Sequence, residues 1–141
     1  MFQRILLAVG FSDARAHTLD AVATLAQRFG SSVHVVHIAP IAVMATAVVA
    51  IEEDDDARRM LDESVKTLLD AGVQADGELL GGLRNEVPAA ISAAAERVGA
   101  DLLVLSPHHR GAVAAWFDPS VSDAVSHAAR VPILLIPDVS S

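Results

Sequence analysis

The sequence predicts an α/β domain in which a parallel sheet is covered by helices on both faces, and two observations carry the prediction. Short continuous apolar runs, such as Arg4 to Val9 and Leu102 to Leu105, alternate with longer segments whose apolar residues recur at helical spacing. Such runs suit strands buried on both faces, and strict strand–helix alternation implies parallel pairing through right-handed crossovers. The second observation is punctuation: Gly30 and Gly72 each fall just past a helically periodic segment, where a C′ glycine belongs.

The first strand, Arg4 to Val9, leads into a helix that Ser12 caps and that runs to Phe29. Its inner stripe is Leu19, Val22, Ala23, Ala26 and Phe29. Ser32 to Ala39 is a second buried strand. The segment Ile41 to Ile51, IAVMATAVVAI, carries no charge. It either folds back into the core or offers an apolar surface to a protein partner or a second copy, and Met44 with the alanines would suit a close helix–helix contact. The interface is the reading preferred.

The acidic stretch Glu52 to Asp56 favours a helix N-terminus electrostatically. Ala57, Leu61, Val65, Leu68 and Leu69 form the stripe of this second helix, and Lys66 is expected to pair with Asp62 on its surface. Gln74 to Leu80 contains Asp76, Gly77 and Glu78 and reads as an edge strand. Asn85 caps a third helix with Pro88 in its first turn and Val87, Ile91, Ala94, Ala95 and Val98 turned inward. The strand Leu102 to Leu105, a fourth helix from Pro119 to Arg130 and a last strand, Val131 to Ile136, complete the set.

At 141 residues and 52% hydrophobic composition the chain fits one domain, residues 1–141, with a sizeable core. Its 18 acidic and 10 basic residues give a net charge of −8, which disfavours nucleic acid, acidic membranes and polyanionic ligands as partners. The absence of cysteine excludes disulfides, thiolate metal sites and Cys nucleophiles, and agrees with a cytoplasmic location. The N-terminal apolar run is too short, and too soon followed by a turn, for a secretory signal. Ile41 to Ile51 falls well below the ~18 to 20 residues that span a bilayer, so membrane insertion is not expected. Enzymatic activity is disfavoured: there is no G-x-S-x-G elbow, no Walker-type loop and no G-x-G-x-x-G after the first strand.

The run Leu102 to Leu105 followed by SPHHRGA, a spacer, Ser120-Val121-Ser122 and Val131 to Pro137 resembles the C-terminal half of the universal stress protein family. RILLAVGFSDARAHTLDAVATLAQRFGSSVHVVHIAP, with His37 near the end of the second strand, resembles the first half. The resemblance covers essentially the whole chain. It implies a Rossmann-like sheet of the adenine-nucleotide alpha hydrolase-like type, with five parallel strands in the order 3-2-1-4-5. It also implies a part in stress response and a homodimer paired through the last strand, here Val131 to Ile136.

ATP-binding relatives carry Gly, two residues, Gly, nine residues, Gly, then Ser or Thr. With Ser120 as the final hydroxyl, the glycine positions fall on Ser106, His109 and Pro119. A backbone that wraps phosphates needs residues without a Cβ that present N–H groups. Pro119 has no N–H, and Asp118 as N-cap would neutralise the helix end that an anion needs. The relatives' Asp after the first strand is also missing, since this chain reads Val9-Gly10-Phe11-Ser12. The resemblance therefore implies the branch without the ATP-binding glycines: a non-catalytic binding or regulatory module, with ATP disfavoured.

The residual nucleotide or anion cleft comprises Gly10, Ser106, His108, His109, Arg110, Ser120 and Ser122. Arg110, supported by the imidazoles, would contact AMP or a small anion in the alternative reading, in which the protein is a sensor. The preferred reading of His108-His109-Arg110 is an exposed loop without its ligand. A metal is disfavoured because spacing supplies no third ligand. Ser120 and Ser122 either meet a phosphate or stabilise the helix start, the latter being preferred. His34 and His37 fall on opposite faces of one strand and cannot share a site, so each reads as a satisfied structural histidine.

Overall fold

The computed structural model describes residues 1–10, 15–44, 47–50, 54–82, 87–105 and 131–136. The elements are β1 (Arg4–Ala8), α1 (Arg15–Phe29), β2 (Ser32–Met44), β3 (Ala47–Ala50), α2 (Asp54–Asp70), β4 (Ala75–Gly82), α3 (Val87–Val98), β5 (Leu102–Leu105) and β6 (Ile133–Leu135). The expected Ser12 and Asn85 caps and the helix from Pro119 to Arg130 lie outside the described residues.

Five strands pair in parallel in the spatial order β4-β2-β1-β5-β6, which is 3-2-1-4-5 when the parallel strands alone are numbered along the chain. β1 lies at the centre, with Arg4 opposite Ser32 and Ile5 opposite Leu102. Burial explains why it is apolar without alternation: Ile5, Leu6 and Leu7 are fully buried. Ile5, Leu7, Val33, Val35 and Val104 face α1 and α2, whereas Leu6, Ala8, Val36, Ile38 and Leu103 face α3. Each fully buried Leu or Ile contributes roughly 2 kcal/mol of apolar transfer. The glycine signals were local and held: Gly30 and Gly72 end α1 and α2 at φ of +67° and +81°.

Four local expectations need correction. Ile41 to Met44 prolongs β2 and pairs antiparallel with β3, from Ile41 opposite Ala50 to Met44 opposite Ala47. A hairpin replaces the helix–helix contact, as the β-branched Ile41, Val43, Val48 and Val49 favour. On α2, Met60 and Ser64 are buried while Leu69 is 51% exposed. The inner stripe is thus rotated, and Ser64 is accommodated by donating to the Met60 carbonyl at 2.9 Å. Phe29 is 43% exposed and meets Phe2 edge-on at 5.4 Å instead of entering the core. On the surface of α2, Lys66 pairs with Asp70 at 2.7 Å rather than with Asp62, and that hydrogen bond and charge raise its pKa.

β4 pairs with β2 alone among the described strands, and a polar network secures it there. Arg4 donates to both Asp76 oxygens at 3.2 and 3.3 Å and to Ser32 Oγ at 3.1 Å, and His34 Nδ1 meets Asp76 Oδ1 at 2.8 Å. Arg97 of α3 grips the Glu78 carboxylate through two bonds of 2.7 and 2.5 Å. His34 Nε2 lies 3.5 Å from Glu78 Oε1 but makes no hydrogen bond, the approach being too long for one of good geometry.

Partial burial alone would push the Asp76 carboxyl up, but the hydrogen bonds from His34 and Arg4 and the nearby positive charge outweigh it and hold the group below its ordinary 3.8. Below that value the unfolded chain takes up a proton more readily than the folded one. The Asp76 contribution is therefore complete above about pH 5 and is lost as pH falls through the depressed folded value. Because the carboxylate is 60% exposed, the contribution should stay below about 1 kcal/mol. The stability difference between the native chain and Asp76→Asn, read from urea midpoints, should shrink between about pH 5 and pH 3. A difference independent of pH would show that the ion pair does not contribute.

Candidate ligand-binding crevice

In a doubly wound sheet, ligands sit outside the carboxyl ends of the strands where successive connections leave for opposite faces. Here that point lies between β1 and β5. From β1 the chain crosses through α1 to β2, whereas β5 is reached by way of α3 on the other face. Val9 and Gly10 leave the end of β1, Leu105 ends β5, and His37 to Ala39 lie alongside in β2.

These residues are closed off from solvent. Val9 is 3% exposed, His37 0% and Leu105 1%, and Gly10 is buried. Val9 N–H continues the ladder by donating to the Val36 carbonyl at 2.9 Å. The Val9 carbonyl is held by His37 Nδ1 at 2.8 Å. A carbonyl can only accept, so Nδ1 carries the proton. No acidic side chain stands at position 9 or 10 of the sequence, so β1 ends here on main chain alone.

Of the predicted cleft residues, only Gly10 is among the described residues, two positions past the end of β1 and buried. Ser106, His108, His109, Arg110, Ser120 and Ser122 lie outside the described residues. His34 and His37 are on opposite faces of β2, as alternation requires: His34 joins the network beside α3, and His37 reaches the end of β1. What sequence reasoning missed is that the partner of His37 is the peptide leading into Gly10. Only the register of β2 on β1 reveals it.

Elsewhere the structure offers less. A solvent-open groove of about 460 Å³ runs between α1 and α2, lined by Arg15, Leu19, Asp20, Glu63, Ser64 and Thr67. Arg15 already pairs with Glu63 at 3.4 Å, and the groove is lined by residues of one helical layer. Among the described residues no group of three His, Cys, Asp or Glu side chains could hold a metal, and no helix is long and apolar enough to cross a membrane.

A central parallel strand flanked by parallel neighbours, with helices on both faces, defines a doubly wound, Rossmann-like α/β domain. The particular family is shown by sequence: the chain belongs to the universal stress protein family, whose profile matches residues 1–137. Solved structures agree on the fold. A universal stress protein from Burkholderia pseudomallei is 24% identical, with 96% of each chain covered and a TM-score of 0.71. UspA from Lactobacillus plantarum is 18% identical, covering 96% of this chain and 97% of its own, at 0.72. The universal stress protein from Archaeoglobus fulgidus in complex with dAMP is 25% identical, covering 96% and 98%, at 0.68. No match was found among curated protein sequences.

Proposed function

We propose that this protein is a cytoplasmic stress-response module that acts by binding, without catalysis, as a homodimer joined through Val131 to Ile136, and that its nucleotide cleft no longer suits ATP. The observation that carries this reading is the end of β1, where Gly10 is buried at the switch point with no carboxylate beside it. The replacement of three phosphate-loop glycines by Ser106, His109 and Pro119 points the same way, because none of these wraps a triphosphate cheaply.

A second reading is favoured by one finding, the likeness to the Archaeoglobus protein in complex with dAMP. In it the crevice senses AMP or another small anion through Arg110, Ser120 and Ser122. A monophosphate conflicts less with Asp118 than a triphosphate does.

Thermal melting against millimolar ATP, AMP and inorganic phosphate separates the two. A ligand at about a hundred times its Kd adds ~2.7 kcal/mol, several degrees for a chain of this size. No shift is expected with ATP. A shift with AMP alone, lost in Arg110→Ala, would select the sensor, and a shift with ATP would overturn both readings of the cleft. If no ligand acts, protein partners become the target, with the uncharged segment Ile41 to Ile51 as the first surface to alter.

A further inference from the structure

We propose that His37 is a positioning residue: by holding the Val9 carbonyl it fixes the Val9–Gly10 peptide unit so that the Gly10 N–H faces the β1–β5 crevice as a hydrogen-bond donor. This deepens the reading of that crevice as a ligand site and rests on it for the identity of the ligand, though not for the geometry.

The direction follows from three facts. Both polar groups of Val9 turn toward β2: its N–H donates to Val36 at 2.9 Å and its carbonyl accepts from His37 at 2.8 Å. Within a planar trans peptide the carbonyl and the following N–H point opposite ways, and β2 and β5 flank β1 on opposite sides. The Gly10 N–H is therefore turned away from β2 and toward the end of β5.

Gly10 is buried, and among the described residues no group accepts from its N–H. Buried amides are nearly always paired, so this one calls for an acceptor from outside those residues. Without a Cβ, Gly10 also lets a ligand approach its main chain closely. His37 is fully buried and its imidazole is rigid, which makes the bond a fixed strut rather than a transient contact.

The chemical consequence is that this point offers a donor and no side-chain acceptor. An aspartate here would keep its N–H and add a carboxylate that accepts, as from hydroxyls, whereas Gly10 presents the N–H alone, which can only donate. The crevice is thus suited at Gly10 to a phosphate oxygen, a carbonyl oxygen or a ring nitrogen.

Nitrogen relaxation of the Gly10 amide in the ligand-free protein tests the strut. The native amide should be rigid, with an order parameter of about 0.85. His37→Asn places an N–H near the position of Nδ1 and should preserve that value. His37→Leu has no donor and His37→Gln carries its donor one atom further out, so both should fall below about 0.6 at Gly10 while the Leu6 and Leu103 amides stay rigid. A Leu variant as rigid at Gly10 as the native protein would overturn the proposal, and so would a loss spread equally over Leu6 and Leu103.

Should these variants fail to fold, the native His37 ring decides. Its nitrogen spectrum must show the proton on Nδ1, and a ring protonated on Nε2 alone would remove the bond. AMP titration addresses the ligand separately: it should move the Gly10 resonance in the native and Asn proteins and leave it in place in the Leu protein. If AMP moves no resonance at all, the nucleotide reading fails, and the positioning role stands or falls on the relaxation result.

Discussion

Replacing Gly77 by valine is expected to destabilise the protein by about 3 kcal/mol, the upper end of the usual cost of overpacking. A Cβ at this position would lie 2.8 Å from Val65 Cγ2 and 3.3 Å from both Leu61 Cγ and Cδ1. All three atoms belong to α2, whose Leu61 is buried and anchored in the core. Val65 is β-branched and has little rotational freedom to yield within a helix. The two γ-methyls of valine would drive further into the same wall. Strand propensity opposes this, because valine suits a strand better than glycine by up to ~1 kcal/mol. The steric cost is the larger effect, so the net sign stays unfavourable.

Gly77→Ala, which adds only the Cβ, should lose about 1 kcal/mol. Urea unfolding with an unchanged m value would measure both. A valine variant within about 0.5 kcal/mol of native would mean that α2 does not pack on β4 at the distance seen here. The glycine that weakens β4 as a strand is thus the residue that admits the helix above it.

Converting Leu134 and Leu135 together to aspartate is expected to turn a dimer into a monomer with little loss of fold. Leu134 is 39% and Leu135 48% exposed, in a three-residue strand whose only partner among the described strands is β5. An edge strand with free backbone groups and two adjacent half-exposed leucines readily accepts another strand. The proposed partner is the same edge of a second copy. Four new carboxylates meeting across the axis, on chains that each already carry −8, would repel strongly at low salt.

Sedimentation equilibrium should report twice the chain mass for the native protein and a single chain for the variant, with a circular dichroism spectrum close to native. A native monomer would end the dimer proposal. A variant that remains dimeric would move the interface away from β6.

Much of the fold was legible because its signals are local. Alternating apolar runs and helical stripes marked β1, α1, α2, α3 and β5, and Gly30 and Gly72 marked helix ends through a φ that other residues adopt at a cost. The polar residues of β4 identified it as an edge, which the pairing bears out. Errors arose where a stripe sat near its margin. Leu69 and Phe29 satisfy the spacing, yet whether such a residue enters the core depends on where the helix ends over the sheet. The hairpin of β2 and β3 was missed because a short apolar run with both alanine and valine reads equally as helix or strand until a pairing partner is known.

The sequence by itself determined the class of fold and the family, since these depend on periodicity and on motifs contiguous in the chain. It also places no glycine at Ser106, His109 or Pro119 and no acid at Gly10. Only the tertiary structure decided which distant groups meet. His37 and Val9 are 28 residues apart, and Arg4 and Asp76 are 72 apart. Each pair is brought together by strand register, with Arg4 opposite Ser32 and His34 opposite Asp76. Register is set jointly by every residue that must be buried on both faces of the sheet, so no local stretch encodes it, and the pinned peptide at Gly10 becomes visible only once the strands are aligned.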